Sequence, residues 1–266
     1  MSVQRLVLLC FLAALIIACL AVAVDCNATG PCGLMLAQAS SWPQLVFGSI
    51  LLLGLWAGAG WGLKLGLTIV QVTRDLGRLS RLPIPHDLEV TASAAHIQRI
   101  ACIQAGLPTA FCAGFLRPTV FISDSTVAML SDDELAAVLH HEADHARRFE
   151  PLRRVAREAA ADVLPFLPIV KWWSERCMER GEIEADLVAE HVVGRSALAG
   201  ALLVMSAPAS ALAAFTGQTE LRARRLIGAE IEKPRPPRAV WVATLTYGWL
   251  AISVAGCLFE ALAALT

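Results

Sequence analysis

The chain has 266 residues, of which 56% are hydrophobic and 17% are charged, and its mean hydropathy is +0.60. Soluble domains usually have about 45–50% apolar and about 25% charged residues, so this composition favours a membrane protein. The net charge of −1 excludes bulk electrostatic attraction to nucleic acid, and we therefore expect no direct nucleic-acid partner.

Three long apolar runs predict three transmembrane helices. The first, Leu6–Val24, is expected to stay as an anchor, although Ala21–Ala23 also fits the end of a cleaved signal peptide and Cys19 ends a weak lipobox-like sequence. The predicted organisation has five segments in chain order: transmembrane helix 1 (or signal anchor) over residues 1–24, an extracytoplasmic loop over 25–44, transmembrane helix 2 over 45–70, a cytoplasmic domain over 71–238, and transmembrane helix 3 over 239–265.

The positive charges predict the orientation of these segments. Of the 22 lysines and arginines, 20 lie between Arg74 and Arg238, in the segment between the second and third spans. Cytoplasmic segments carry the excess of Lys and Arg, so this segment and the N-terminus with Arg5 are expected on the cytoplasmic side of an inner membrane. The loop before the second span has no Lys or Arg, and its Cys26 and Cys32 could form a disulfide there.

The central segment is expected to form an α+β domain within a mostly α protein. Asp87–Ala105 reads as a helix that a Gly-Leu-Pro sequence ends. Two short β-prone runs follow, Thr109–Cys112 and Thr119–Ile122, and Gly114 and Pro118 between them predict a short β-hairpin or small sheet.

The best-marked helix of the chain is predicted over Ser131–Phe149. Ser131 and Glu134 form an S-x-x-E capping box at its start. Farther along, His141, Glu142 and His145 match the H-E-x-x-H pattern. This pattern on a capped helix predicts a metal site.

The spacing of these residues explains the chemistry. His141 and His145 are four residues apart, about 40° around a helix, so both imidazoles project from one face and can hold one zinc ion. Glu142 is displaced by about 100°, which lets it reach a water beside the metal without binding the metal. We therefore expect one zinc ion per chain and Glu142 as the general base.

A third ligand is expected from the helix around Glu182 and Asp186. Ser174 is a plausible N-cap of that helix, and Gly194 is a plausible residue just after its end. Glu182 and Asp186 are four apart and share a face. One of them can bind zinc, and the other can accept a hydrogen bond from a histidine ligand and fix its tautomer.

H-E-x-x-H followed by an E-x-x-A-D helix resembles the gluzincin-type integral membrane metallopeptidases, which have a zincin-like domain. One branch contains HtpX-like heat-shock proteases and CAAX prenyl proteases, and the other contains the antirepressor sensor-transducers of β-lactam resistance. The antirepressor branch looks closer, because its hairpin pattern resembles Gly114–Pro118 and its helix pattern resembles Leu130–Arg148. Its proline-aromatic segment before E-x-x-A-D resembles Phe166–Trp173.

This resemblance implies roles for single residues. Glu182 would be the third zinc ligand, and Asp186 would support a histidine ligand from behind. An extended substrate would pair with the strand formed by Phe111, Cys112, Ala113 and Gly114. One departure is Asp144, a charged residue inside H-E-x-x-H that is expected to pair with His140 on a face away from the metal.

Three functions remain open at this point. The first is a regulatory zinc endopeptidase that cleaves a cytoplasmic or membrane-proximal protein, for example a transcriptional repressor. The second is a quality-control protease of membrane proteins. The third is a non-catalytic membrane receptor or scaffold with a zincin shape, which the intact H-E-x-x-H and Glu182 argue against. The expected partners are a protein or peptide substrate and the lipid bilayer.

Overall fold

The computed structural model describes residues 42–206, 222, 225 and 235–263. Predicted span 1 and Cys26 and Cys32 lie outside these residues. The helices are α1 (Trp42–Gly77), α2 (His86–Ala94), α3 (Asp124–Met129), α4 (Asp132–Arg147), α5 (Glu150–Val163), α6 (Pro168–Val193), α7 (Arg195–Ser206) and α8 (Arg238–Ala263). The strands are β1 (Arg81–Leu82), β2 (Ile100–Ile103), β3 (Ala110–Ala113) and β4 (Thr119–Ser123). The predicted mostly helical fold with a small sheet is confirmed.

The described residues fall into two compact units. The first unit takes residues 42–66, 156–174 and 235–263, and the second takes residues 67–155, 175–206, 222 and 225. Helices α1, α5 and α6 each contribute residues to both units.

Two helices of the described chain are long and apolar enough to cross a membrane, over Phe47–Gly77 and Arg238–Gly256. Apolar side chains on them are exposed, including Phe47 at 70% and Trp249 at 74%. Exposed apolar surface of this extent is costly in water, so these two helices weakly support a membrane protein.

Polar contacts in the first unit hold α1 against α5. The Lys64 ammonium lies 3.1 Å from the Asp162 carboxylate, and the Trp61 indole N–H donates to the Ala156 carbonyl at 2.9 Å. A Cβ at Gly60 would lie 3.2 Å from Val163, so this glycine permits a close approach of the two helices. Lys64 therefore has a carboxylate partner within the apolar part of α1.

The second unit is built on a four-stranded mixed sheet in the order β1-β2-β4-β3. β3 and β4 pair antiparallel, which confirms the predicted hairpin, while β2 pairs parallel with β4. Val120 and Ile122 of β4 are fully buried and pack in one core with Leu139 of α4 and Leu198 of α7. This core fixes α4 between the sheet and α7.

The prediction of one helix over Asp87–Ala105 is wrong in its second half. Helix α2 ends at Ala94, His96 has a φ of 56°, and Ile100–Ile103 forms β2. A short apolar run fits a strand or a buried helix equally by pattern. Residues 100–103 form a strand rather than a helix because they pair with β4, and Cys102 is buried to 1% exposure.

The predicted N-cap at Ser174 is also wrong. Helix α6 begins at Pro168, a residue whose fixed φ suits the first helical turn, and Ser174 is buried inside the helix. The other end agrees with the prediction, because α6 ends at Val193 and Gly194 follows with a φ of 89°. A residue with a side chain would be strained at that angle.

Candidate metal centre

Helix α4 presents the two histidines of the site. The backbone N–H and the hydroxyl of Ser131 both donate to Glu134 Oε2, at 2.9 and 2.8 Å, so the predicted capping box is present. Asp132 and Asp133 add negative charge in the first turn, where the helix dipole favours it. The helix is thus stabilised at its start, ten residues before His141.

The structure brings His141, His145 and Glu182 together. The Nε2 atoms of His141 and His145 lie 3.1 Å apart. Glu182 Oε2 lies 3.5 Å from the first of them, and Glu182 Oε1 lies 3.6 Å from the second. Each residue offers one ligand atom, and all three atoms lie within 4.8 Å of one another.

These separations fit a tetrahedral zinc ion. Bonds of about 2.0–2.1 Å at tetrahedral angles place ligand atoms about 3.3 Å apart. The 3.1 Å between the imidazole nitrogens, and the 3.5 and 3.6 Å from each nitrogen to a different oxygen of Glu182, lie on either side of that value. Two imidazole nitrogens and one carboxylate are also a common donor set of catalytic zinc sites, which leave a fourth position open.

Asp186 lies behind His141. Its Oδ1 is 3.0 Å from Nδ1 of His141, at hydrogen-bond distance although out of line with the N–H direction. Asp186 is 1% exposed, so its negative charge is shielded from water. A carboxylate in this place favours the tautomer with the proton on Nδ1, which leaves the Nε2 lone pair for a metal.

Arg222 completes this cluster, and sequence reasoning missed it. Its Nε and NH2 atoms donate to the two oxygens of Asp186 at 2.8 and 2.6 Å, and its NH1 lies 3.4 Å from Glu182 Oε2. This bidentate pair holds the buried carboxylate in place. Arg222 lies 36 residues after Asp186 with no helical spacing to mark it. The only signal was a cluster of arginines in an alanine-rich stretch.

The pKa values of the site residues follow from burial and from this cluster of charges. Burial lowers the pKa of His141, but the carboxylates of Asp186 and Glu182 outweigh it and raise that pKa to about 9. Burial and the neighbouring His141 lower the pKa of His145 to about 4. Against burial, the contact with His141 lowers the pKa of Glu182 to about 2. These shifts favour a charged His141 imidazole beside the ionised carboxylates of Glu182 and Asp186.

Glu142 is buried beside the ligands. Burial raises the pKa of its carboxyl group, and the charge of Glu182 acts in the same direction, while His141 opposes both. The backbone N–H of Cys112 on β3 contacts this carboxyl group. A raised pKa suits a group that takes and returns a proton near neutral pH.

The ligands face a cleft of about 250 Å³. Phe111 and Cys112 of the predicted substrate strand line it, and Phe111 stacks on the core residue Phe121 at 5.1 Å. Ala113 and Gly114 are not among the lining residues: Ala113 is buried, and Gly114 lies in the turn. The φ of Gly114 is 98°, and a Cβ there would lie 2.8 Å from the Arg117 carbonyl oxygen, so the turn requires glycine.

A smaller pocket of about 110 Å³ adjoins the cleft and shares His141 and Glu142 with it. The two also share Ala110 and Arg222. The remaining walls of the pocket are apolar and come from α4 and α7: Val138, Leu198, Ala201, Leu202 and Met205. A cavity of about 150 Å³ lined by aliphatic and aromatic residues can hold benzene, so this pocket can hold a smaller aliphatic group.

The expected pairing of Asp144 with His140 is not what the structure has. Asp144 is 4% exposed, and its carboxylate lies 2.8 Å from Nε of Arg148 and 3.3 Å from NH2 of Arg147. Arg148 also pairs with Glu184 on α6. Arginine pairs with Asp144 more strongly than His140 does, because arginine presents several donors at once and cannot lose its charge.

The comparison with known proteins agrees with this geometry. A family model described as peptidase family M48 matches residues 80–226, more than half of the chain. The match includes the three candidate ligands, Glu142, Asp186 and Arg222. No curated protein matches the chain.

Proposed function

The chain belongs to peptidase family M48, and we propose that it is a membrane-anchored zinc endopeptidase that cleaves a cytoplasmic or membrane-proximal protein. Members of this family are metal-dependent peptidases, and the His141, His145 and Glu182 group offers a metal site. The observation that carries the proposal is the set of ligand separations near the tetrahedral value, with the buried Glu142 carboxyl group beside them.

The roles of the residues follow from their positions. His141, His145 and Glu182 would hold zinc, and Asp186 with Arg222 would orient His141. Zinc held there would supply Lewis acidity toward the scissile carbonyl and toward the attacking water. The Glu142 carboxylate takes one proton from that water as its oxygen attacks the carbonyl carbon. Glu142 then gives this proton to the amide nitrogen as the C–N bond breaks.

Substrate binding would use the edge of the sheet. β3 is the last strand in the sheet order, and its residues Phe111 and Cys112 line the cleft. An extended peptide can add to such an edge through backbone hydrogen bonds. The apolar pocket beside Glu142 would then receive an aliphatic side chain next to the scissile bond. This arrangement favours an endopeptidase over a scaffold.

The membrane anchoring rests on the two exposed apolar helices and on the charge distribution. Most of the lysines and arginines lie in the segment between these helices. Because cytoplasmic segments carry the excess of Lys and Arg, this distribution favours a cytoplasmic peptidase domain. A regulatory role, of the antirepressor kind, and a quality-control role differ in the breadth of their substrates. We favour the regulatory role because the hairpin, the metal-helix pattern and the proline-aromatic segment resemble the antirepressor branch.

Two glutamate variants test the proposal. Purified full-length protein with Glu142→Gln should keep its zinc and lose proteolysis, whereas Glu182→Gln should lose zinc occupancy. Glu184→Gln is the matched control, because Glu184 lies on the same helix and pairs with Arg148 outside the cleft. Full activity of the Glu142→Gln protein would end the hydrolytic assignment.

Substrate breadth is tested with casein and a candidate repressor. A regulatory protease should cleave the repressor and leave casein largely intact, and the Glu142→Gln protein should cleave neither. Degradation of casein with an untouched repressor would instead favour quality control.

A further inference from the structure

Another cavity, of about 330 Å³, lies on the face of α4 that points away from His141 and His145. Its walls come from the residues after α2, from the turn of the β3–β4 hairpin and from the end of α4. Ala143 and Arg147 of α4 line it, and each lies about 200° around the helix from the histidine two residues before it. The cavity is therefore separate from the metal cleft.

Three arginines converge on this cavity, which we name the arginine groove. Arg99, Arg117 and Arg147 come from its three different walls, and no carboxylate is among its described lining residues. Arg147 shares the buried Asp144 with Arg148. Among the residues that the structure describes, the guanidinium groups of Arg99 and Arg117 have no carboxylate partner.

The groove also offers apolar contacts. Ile97, Pro118 and Ala143 contribute apolar lining. Leu116 and Phe149 also line it and are exposed, at 83% and 45%. Guanidinium groups around apolar surface complement a ligand that carries both carboxylates and an aliphatic side chain.

The hairpin connects the groove to the metal cleft. Cys112 lines the cleft, and Arg117 lines the groove five residues later in the chain. A peptide that lies along the edge of β3 can run from one site toward the other, at about 3.3 Å per extended residue. This route favours a peptide over a free phosphate or a lipid headgroup as the occupant.

We propose that the arginine groove binds an acidic segment of the protein substrate, next to the segment that pairs with the edge of β3. This inference rests on the proposed function, since it assigns the groove to the substrate of the metal cleft. The segment would place carboxylates against Arg99 and Arg117 and an aliphatic residue against Leu116.

A binding assay tests the groove without turnover. Full-length Glu142→Gln protein in detergent micelles is titrated against a fluorescein-labelled peptide, Ala-Glu-Glu-Leu-Glu-Glu-Ala, and against its glutamine counterpart, and anisotropy is measured. We expect the glutamate peptide to bind and Arg99→Glu/Arg117→Glu to weaken it about tenfold, since exposed ion pairs contribute modestly. The milder Arg99→Gln/Arg117→Gln protein should show about a threefold loss.

The matched control reverses two other arginines of the same unit. Arg78→Glu/Arg81→Glu changes the net charge equally at exposed positions outside the groove and should leave peptide binding unchanged. Equal binding of the glutamate and glutamine peptides, or an equal loss in this control, would overturn the proposal. Binding of inorganic phosphate or glycerol phosphate without peptide binding would overturn it too and make the groove a phosphate site.

Cleavage then separates this proposal from the proposed function. With native Glu142, a substrate with an acidic segment next to its β3-pairing segment should have a lower KM than one without it. The Arg99→Glu/Arg117→Glu protein should show no difference in KM between the two substrates, and its kcat should be unchanged. Cleavage without any effect of the acidic segment refutes the groove alone, and peptide binding without any cleavage refutes the peptidase.

Discussion

Asp186→Asn isolates the carboxylate that supports the metal site from behind. The substitution keeps the shape of the side chain and removes the negative charge that lies 3.0 Å from Nδ1 of His141. Replacing a group that orients a metal ligand usually costs 10–100-fold in metal affinity, which corresponds to about 1.4–2.8 kcal/mol. We expect zinc affinity to fall within this range, because the amide fills the same space but lacks the negative charge that holds the Nδ1–H of the neutral His141 imidazole and leaves Nε2 free for the metal.

The assay is a competition between the full-length protein in detergent and a chromophoric zinc chelator. Asp144→Asn is the matched control, since Asp144 is also a buried aspartate that pairs with arginines, at 2.8 Å in the case of Arg148. Asp186→Asn leaves the mostly buried Arg222 without its carboxylate partner and should lose stability by up to about 3–5 kcal/mol. Asp144→Asn should lose less, because Arg147 and Arg148 remain partly exposed to water. Only Asp186→Asn should weaken zinc binding. Equal zinc affinity in the two variants would refute the role of Asp186.

Two further predictions concern the pocket and the ligands. Ala201→Phe should fill the apolar pocket and lower kcat/KM about 10–200-fold for substrates with an aliphatic residue beside the scissile bond. Substrates with glycine at that position should be less affected. An equal loss of kcat/KM for both substrates would contradict the assignment of the pocket to this side chain. Zinc affinity should rise about tenfold per pH unit between pH about 6 and 8. His141 has a pKa of about 9 and must release a proton to bind zinc in this range. His145 has a pKa of about 4 and is already neutral. Chelator competition across this range measures the slope, and a flat profile would contradict the protonation of His141.

The residues that sequence reasoning identified have local marks. His141 and His145 lie on one capped helix, and Glu182 and Asp186 lie four apart on another, so helical spacing alone brings each pair to one face. Only the fold shows that the two pairs contact each other. Two imidazoles and a carboxylate are nevertheless the donor types of a zinc site, so the sequence already predicts that they meet. Their catalytic and ligand roles stay predictions until the variants are measured.

The residues that it missed depend on contacts between distant parts of the chain. Arg222 reaches Asp186 across 36 residues, and no period links the two. The sequence of Ile100–Ile103 fits a helix as well as a strand, and only its pairing with β4 distinguishes the two. Helical spacing predicts a pair between Asp144 and His140, but the Asp144 carboxylate contacts Arg148 at the end of the helix instead.

The donor set at the end of the cleft also limits which cation it can retain. Calcium prefers six to eight oxygen ligands, and magnesium prefers an octahedron of oxygens with several waters. His141 and His145 offer two nitrogens, and Glu182 adds only one carboxylate. The imidazole pair therefore discriminates against the abundant alkaline-earth ions of a cell and leaves late transition metals as the competitors of zinc.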